Sequence, residues 1–286
     1  FANLKRNSGN IEELSKALTS LQKAQPEDTS ETFWKLEVDK AGNGAATIRF
    51  LPAPGADGDD ALPWVKVFSH TFQGPGGWVY DNCLTTKNQE CPVCEHNKVL
   101  WNSGIEDNKK LVSKQKRKLT YISNIYIVSD PKHPENNGKV MLFKYGKKIF
   151  DKINEAMHPQ FDDEKPINPF DLWKGANFKL KAVKEDGYQN YNKSTFDAPT
   201  ALSDNDEELE KIYNQELSLK QFIADDQFKS FDELKKRLDK ALGLNGIAPK
   251  TTVETIRENA KKSPEVSIAA DEDEDDMAYF AKLAED

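Results

Sequence analysis

The chain holds three cysteines, and all of them fall between residues 83 and 94. Cys91 and Cys94 form the C-x-x-C of ECPVCEHNK, and Cys83 stands just upstream. Such a pair serves either redox exchange or metal binding. Redox exchange needs the pair at a helix start inside a thioredoxin-like βαβ unit, which the surrounding sequence does not offer, and it leaves Cys83 without a task. A zinc ion needs four N or S donors brought together by short loops. Cys83, Cys91 and Cys94 supply three, and His70 supplies a fourth in the spacing His70-x12-Cys83-x7-Cys91-x2-Cys94. His96 is the rival fourth donor, although two residues beyond Cys94 it must fold back sharply to reach the same ion. Four protein donors leave no open coordination position, so one structural Zn2+ is the expected cofactor.

A second chemistry lies just beyond. Lys109 to Lys118, KKLVSKQKRK, carries five lysines and one arginine with no acid, and it runs into a segment bearing Tyr121 and Tyr126. LFKYGKKIF interleaves Phe143, Tyr145 and Phe150 with Lys144, Lys147 and Lys148. NFKLKAVKEDGYQNYNKSTF places Phe178, Tyr188, Tyr191 and Phe196 among Lys179, Lys181, Lys184 and Lys193. Cations that follow phosphates and rings that stack on unpaired bases are what a single-strand groove requires. Alternate aromatics on a strand also fill cores, so part of this set is expected to be buried. The sequence holds no helix-turn-helix or basic-zipper pattern for duplex readout. An enzymatic rival fares worse. A zinc deaminase needs H-x-E beside its cysteines, and His70-Thr71-Phe72 lacks the acid. No Walker A motif or nucleophile elbow is found either.

The elements that must position these groups are mostly short strands. Trp34, Leu36 and Val38 alternate with polar residues, then a Gly- and Asn-rich turn leads to Ala46, Ile48 and Phe50, which predicts a β-hairpin. LPWVKVFSHTF and GWVYDNC predict strands around the turn at residues 74–77, and LTYISNIYIVSD is the strongest strand candidate. VMLFKYGKKIFDKINEAM starts as a strand and turns helical, and ANFKLKAVKEDGYQNY is a strand pair around residues 186–187. Residues 204–244 carry a helical pattern that ends near Gly243. Short strands interrupted by a Cys-rich insertion and followed by helices predict a small decorated barrel. At the N-terminus, Ile11, Leu14, Leu18 and Leu21 predict a short amphipathic helix, with Asn10 and Glu13 as its capping box, on an arm set off by a polar linker.

Net charge is −8, and the nine acids against one lysine from Glu265 onward account for all of it. The preceding body is neutral on average, yet it segregates a basic stretch at 109–118 from an acidic one at 197–226. The last segment therefore reads as a disordered acidic tail, with a short helix expected only at MAYFAKLAED. A flexible tail of that charge is expected to compete with nucleic acid for the basic groove. No apolar run approaches the roughly 20 residues of a membrane span. The N-terminal stretch lacks the apolar core of a secretory signal, and an odd number of cysteines argues for a reducing compartment.

Eight segments occur in register along the chain: DKAGNGAATIRFLP, the His70–Cys94 spacing with CPVC, KRKLTY, DPKHPENNGKV, KYGKKIFDKIN, WKGANFKLK, GYQNY and FKSFDEL. Together they resemble the single-stranded-DNA-binding proteins of T-even-like bacteriophages. The resemblance implies an α+β chain with a mainly β core: an OB-fold barrel with a zinc-binding subdomain, flanking helices, an N-terminal arm and an acidic C-terminal tail. It divides the chain into an arm over residues 1–28, a single-strand-binding core over 29–248 with the zinc subdomain at about 64–110, and a tail over 249–286. His70, Cys83, Cys91 and Cys94 match the zinc ligands. Trp101, Lys116, Arg117, Lys118, Tyr121, Phe143, Tyr188 and Tyr191 fall in or near the cleft, beside Tyr145, Lys147 and Lys148 from the residue pattern. Leu4, Lys5, Arg6 and Ser8 match the self-association element. Asp271, Glu272, Asp273, Glu274, Asp275 and Asp276 form the tail that recruits replication and recombination proteins. The implied protein is not an enzyme. It coats single strands as cooperative filaments in the cytoplasm of an infected host cell. The rival expectation is a zinc-stapled adaptor acting mainly through protein contacts.

Overall fold

The computed structural model describes residues 32–161, 163–185 and 187–244. The chain divides into two units, residues 1–34 and 35–286. Of the first unit only Thr32 to Trp34 are described, with a two-residue strand β1 (Phe33–Trp34). The expected helix at 11–21, the self-association residues Leu4, Lys5, Arg6 and Ser8, and the tail acids Asp271 to Asp276 all lie outside the described residues.

The second unit is a mixed α+β body built mainly of sheet. Its strands are β2 (Gly44–Phe50), β3 (Val65–Gly74), β4 (Gly77–Asn82), β5 (Lys118–Ser129), β6 (Val140–Tyr145), β7 (Phe178–Glu185), β8 (Tyr188–Asn190) and β9 (Thr195–Phe196). Among the described residues five α-helices accompany them: α1 (Pro92–Asn102), α2 (Glu106–Gln115), α3 (Lys147–Met157), α4 (Asp206–Tyr213) and α5 (Phe231–Ala241).

Strand β5 organises the sheet because it is long enough to hold two different neighbours along one edge. Its first residues pair with β3 (Val65↔Ile122 to Ser69↔Lys118), and its later residues pair with β2 (Phe50↔Ile125 to Thr47↔Ser129). Its other edge is taken by β6 from Tyr121↔Tyr145 to Tyr126↔Val140. The order continues β5–β2–β7–β8, all antiparallel. Within this unit no pairing among the described residues joins β6 to β8, so its sheet is open rather than a closed barrel.

The expected hairpin over residues 34–50 does not form. Residues 35–43 are a loop, with Asp39 Oδ1 accepting from the backbone N–H of Ala41 and of Asn43, both at 2.9 Å. The reason is competition for edges: β2 already spends both of its own on β5 and β7. The strands foreseen around residues 74–77, at 119–130 and at 177–191 do form, and so does the strand-to-helix switch at Gly146. The helical pattern over 204–244 resolves into α4 and α5 separated by turns and short 3-10 segments, with Gly243 in the left-handed region (φ 73°) just past α5.

A core of linked aromatic rings lies under the sheet. Phe50 contacts Tyr145, Phe170, Phe178 and Phe196 with centroids 5.6 to 6.4 Å apart. A second core joins the β3–β4 hairpin to α5 through Phe68, Phe72, Val79, Leu84, Leu234 and Leu238, and it includes Cys83 and Cys91. The helix seats on backbone: the Gly76 N–H donates to the Ala241 carbonyl at 2.7 Å. A Cβ on Gly76 would stand 1.9 Å from the Lys240 carbonyl oxygen, so only glycine allows this approach. Asp81, its side chain 2% exposed, clamps the same interface by ion pairs to Lys229 and Arg237, both at 2.7 Å.

Candidate functional site

His70 lies on β3, Cys83 directly follows β4, Cys91 caps the N-terminus of α1 and Cys94 lies in its first turn. The hairpin supplies two donors and the helix start supplies two, which is how residues 24 positions apart meet. The Cys83 N–H donates to the Phe68 carbonyl at 2.8 Å, fixing the hairpin side. Pro92 at the first helical position pre-sets the backbone on the other side.

The four donor atoms lie within 4.8 Å of one another. Cys83 Sγ and Cys94 Sγ are 3.5 Å apart, and His70 Nε2 is 3.6 Å from both Cys91 Sγ and Cys94 Sγ. A tetrahedral zinc with Zn–S near 2.3 Å and Zn–N near 2.0 Å has ligand edges of about 3.5–3.8 Å. The cluster can therefore hold one metal ion, and its three thiols and one imidazole fit Zn2+. His70, Cys83 and Cys91 are buried and Cys94 is partly buried. The other His70 nitrogen, Nδ1, stands 3.3 Å from the Gln115 carbonyl, which also accepts from Asn97 Nδ2 at 3.1 Å. That carbonyl, at the end of α2, turns Nε2 toward the thiols.

The electrostatics tell the same story. Burial pushes the His70 imidazole down, but hydrogen bonds to Cys83 and Cys91 outweigh it and raise its pKa to about 9. Contact with Cys83 and Cys94 drives the Cys91 thiol down, while contact with Cys83 and Cys91 drives the Cys94 thiol up. Three thiols this close cannot all ionise without a cation among them. His96 belongs elsewhere: its imidazole is pushed down by burial and faces Asp239 of α5 rather than the thiols.

The C-x-x-C pair does sit at a helix N-terminus, which the sequence patterns did not predict. The strand–helix–strand context of a redox site is still absent, because a hairpin leads into α1 and α2 follows it.

The residues considered for nucleic acid fall into three groups. Lys116, Arg117 and Lys118 join α2 to β5, and Tyr121, Tyr145 and Phe143 lie on β5 and β6 close by, with Lys147 and Lys148 opening α3. Trp101 lies apart on α1, packed on Leu100 and Val112 with the Lys109 ammonium 5.7 Å from its ring. Tyr188 and Tyr191 lie at the β7–β8 hairpin, three strand steps or roughly 14 Å across the sheet from β5.

Exposure separates these groups further. Tyr121, Phe143 and Tyr145 are 7%, 5% and 4% exposed, so their rings belong to the aromatic core. Tyr121 stacks on Phe150 at 4.0 Å, and the Tyr145 hydroxyl pairs with Ser123 Oγ at 2.9 Å. Arg117 is half structural, its guanidinium 4.0 Å from the Phe68 centroid and donating to Thr85 Oγ1 at 2.8 Å. Lys147 pairs with Asp151 at 2.8 Å. Lys118 is exposed, and so is Tyr188. The structure adds two residues that sequence patterns missed. Trp78 and Tyr80, on the outer face of β4, are 42% and 58% exposed with stacked rings 5.1 Å apart. Their signal was available in GWVYDN, where both outward positions around Val79 are aromatic.

Residues 42–242 match the model of the family described as gp32 DNA binding protein like. The chain belongs to that family. It is similar to the single-stranded DNA-binding proteins of Enterobacteria phages T2 and T4, 38% identical to each over 222 residues that span 76% of this chain and 71% of theirs. A single-stranded DNA-binding protein of Enterobacteria phage RB70 is 39% identical over 97 residues, 33% of this chain and 77% of its own. The matched span contains the four-donor cluster, the basic α2–β5 junction and the exposed β4 rings. No helix among the described residues is long and apolar enough to cross a membrane.

Proposed function

We infer that the protein binds single-stranded DNA without sequence preference and cooperatively, and so protects strands during phage DNA replication, recombination and repair. Membership of a DNA-binding family carries this reading, together with a basic turn that leads directly from a metal cluster into the sheet. In it, Lys116, Lys118, Lys147 and Lys148 hold phosphates and Tyr188, Tyr191 and Trp101 meet bases. The buried Tyr121, Phe143 and Tyr145 build the wall behind them and keep the cations in place. Binding is the whole activity, with no reaction catalysed. One structural Zn2+ on His70, Cys83, Cys91 and Cys94 ties the β3–β4 hairpin to α1 and so fixes the junction from which the basic residues extend.

The finer architecture follows the same reading. The sheet around β5 is proposed as an OB-type core spanning residues 29–248, with residues 1–28 as the arm through which copies associate, by Leu4, Lys5, Arg6 and Ser8. The tail of residues 249–286, with Asp271 to Asp276, recruits replication and recombination proteins and competes for the basic groove when no DNA is present. The site of action is the cytoplasm of the infected cell.

Titration with fluorescent oligo-dT, the matching duplex and the matching RNA across a salt series tests the reading. Tight, salt-dependent single-strand binding is expected, with a log–log slope of about −3 if four or five phosphates are neutralised. Equal or negligible binding to all three probes would instead favour a zinc-stapled adaptor.

A further inference from the structure

The β3–β4 hairpin runs beyond the rest of the sheet. Strand β3 pairs with β5 only from Val65 to Ser69, and from His70 to Gly74 it pairs with β4 alone. One face of this extension is fully used. Phe72, Val79 and Cys83 pack against α5, His70 faces the metal cluster and Asp81 meets Lys229 and Arg237. The opposite face carries Trp78 and Tyr80, with Thr71 and Gln73 as their cross-strand partners. No core packing is gained by leaving two large rings 42% and 58% exposed. They stack on each other at 5.1 Å and 18°, forming a flat two-ring surface.

Register links that surface to the basic junction. Ser69 pairs with Asn82 on one side and with Lys118 on the other, so Asn82, Ser69 and Lys118 form one row across the three strands. Cross-strand partners share a face, and residues two apart on a strand share it too. Lys118, Ser69, Thr71, Gln73, Tyr80 and Trp78 therefore line one continuous face, cationic at one end and aromatic at the other. The Asn82 amide, which donates to the Gln227 carbonyl at 3.0 Å, ties this end of the face to the short 3-10 segment that precedes α5.

We propose that Trp78 and Tyr80 form a stacking platform for unpaired bases, a contact for single-stranded nucleic acid that extends from Lys118 outward along the β3–β4 hairpin. The proposal rests on the single-strand-binding reading above. A ring pair accepts any base on its outer face, and a lysine about two strands away reaches the phosphate of the same strand. The hydroxyl of Thr71 and the amide of Gln73 lie beside the rings, where they can meet base edges. A single strand suits the face because it alone offers planar apolar groups and regularly spaced negative charge together.

The test compares the full chain with Trp78→Ala/Tyr80→Ala, using fluorescent oligo-dT over a salt series. Zinc content and circular dichroism report whether each variant is folded. Affinity is expected to fall about tenfold, as for one lost base stack, with the salt slope unchanged because no phosphate contact is removed. Trp78→Phe/Tyr80→Phe should recover most of the loss. Ultraviolet cross-linking of the unaltered protein to oligo-dT should place a linked base on Trp78 or Tyr80. If the alanine variant is misfolded, the cross-link decides. Equal affinity of a folded alanine variant, or cross-links confined to other rings, overturns the platform. A change in self-association with unaltered DNA affinity assigns the face to a second copy and overturns it as well. An unaltered protein that binds no single strand rejects the underlying reading instead.

Discussion

His70 Nδ1 and the Gln115 carbonyl stand 3.3 Å apart, and through them the last turn of α2 sets the orientation of a metal ligand on β3. The carbonyl that orients the ligand belongs to the residue just before the basic Lys116–Lys118 turn. Metal binding and the placement of those cations are thus parts of one local structure. His70→Ala should lower zinc affinity severely, by more than the 10- to 100-fold typical of losing an outer-sphere partner, while His96→Ala should leave it unchanged. Chromogenic zinc release on thiol titration measures both. Equal losses in the two variants would refute the His70 assignment.

Zinc removal should also act at a distance. Chelation is expected to lower the melting temperature and to expose the core shared by the β3–β4 hairpin and α5, since Cys83 and Cys91 belong to it. Hydrogen exchange of the α5 amides before and after chelation reads this directly. Unchanged protection would mean that α5 holds the hairpin without the metal.

The hairpin tip makes a sharper prediction. Gly76→Ala puts a methyl against backbone that cannot move aside. A loss of about 1–3 kcal/mol is expected in urea unfolding, as for overpacking elsewhere. Asp81→Asn should cost about 1–2 kcal/mol, because it removes a buried anion while Lys229 and Arg237, 45% and 44% exposed, return to water.

Glu216 gives a pH signature. Burial pushes its carboxyl up to about 9, and neither carboxylate oxygen has a hydrogen-bond partner. The folded state therefore holds a proton that the unfolded chain releases near the ordinary carboxylate range. Stability from this group is full below that range and declines as pH rises toward 9. Glu216→Gln should raise stability by on the order of 1–2 kcal/mol at pH 8 and change little at pH 4. Melting curves at the two pH values would contradict the assignment if the gain were equal at both.

Burial splits the tyrosines into two classes of variant. Tyr121→Ala empties a site stacked on Phe150 and should cost about 3–5 kcal/mol of stability, so any weakened DNA binding follows from a damaged wall. Tyr188→Ala, at an exposed position, should leave stability within about 0.5 kcal/mol and weaken single-strand binding alone. Lys116→Ala/Lys118→Ala should flatten the log–log salt slope by about 1.4, or 0.7 per phosphate contact.

The sequence by itself narrowed the metal cluster to three cysteines and one of two histidines, and it showed most of the strands; the tertiary structure chose His70 over His96. Four soft donors within 25 residues admit few partners, and period-2 runs such as that of β5 declare themselves locally. Local pattern could not decide which strand edges meet. The 34–50 hairpin satisfied every turn signal, yet β2 gained more by pairing with β5 and β7. Nor could it decide which aromatics face water. Tyr121 and Trp78 sit in similar alternating runs, but the ring of Phe150 on α3 covers the first, while the outer face of β4 leaves the second exposed. Exposure depends on what packs against a face from distant parts of the chain, and that only the tertiary structure decides.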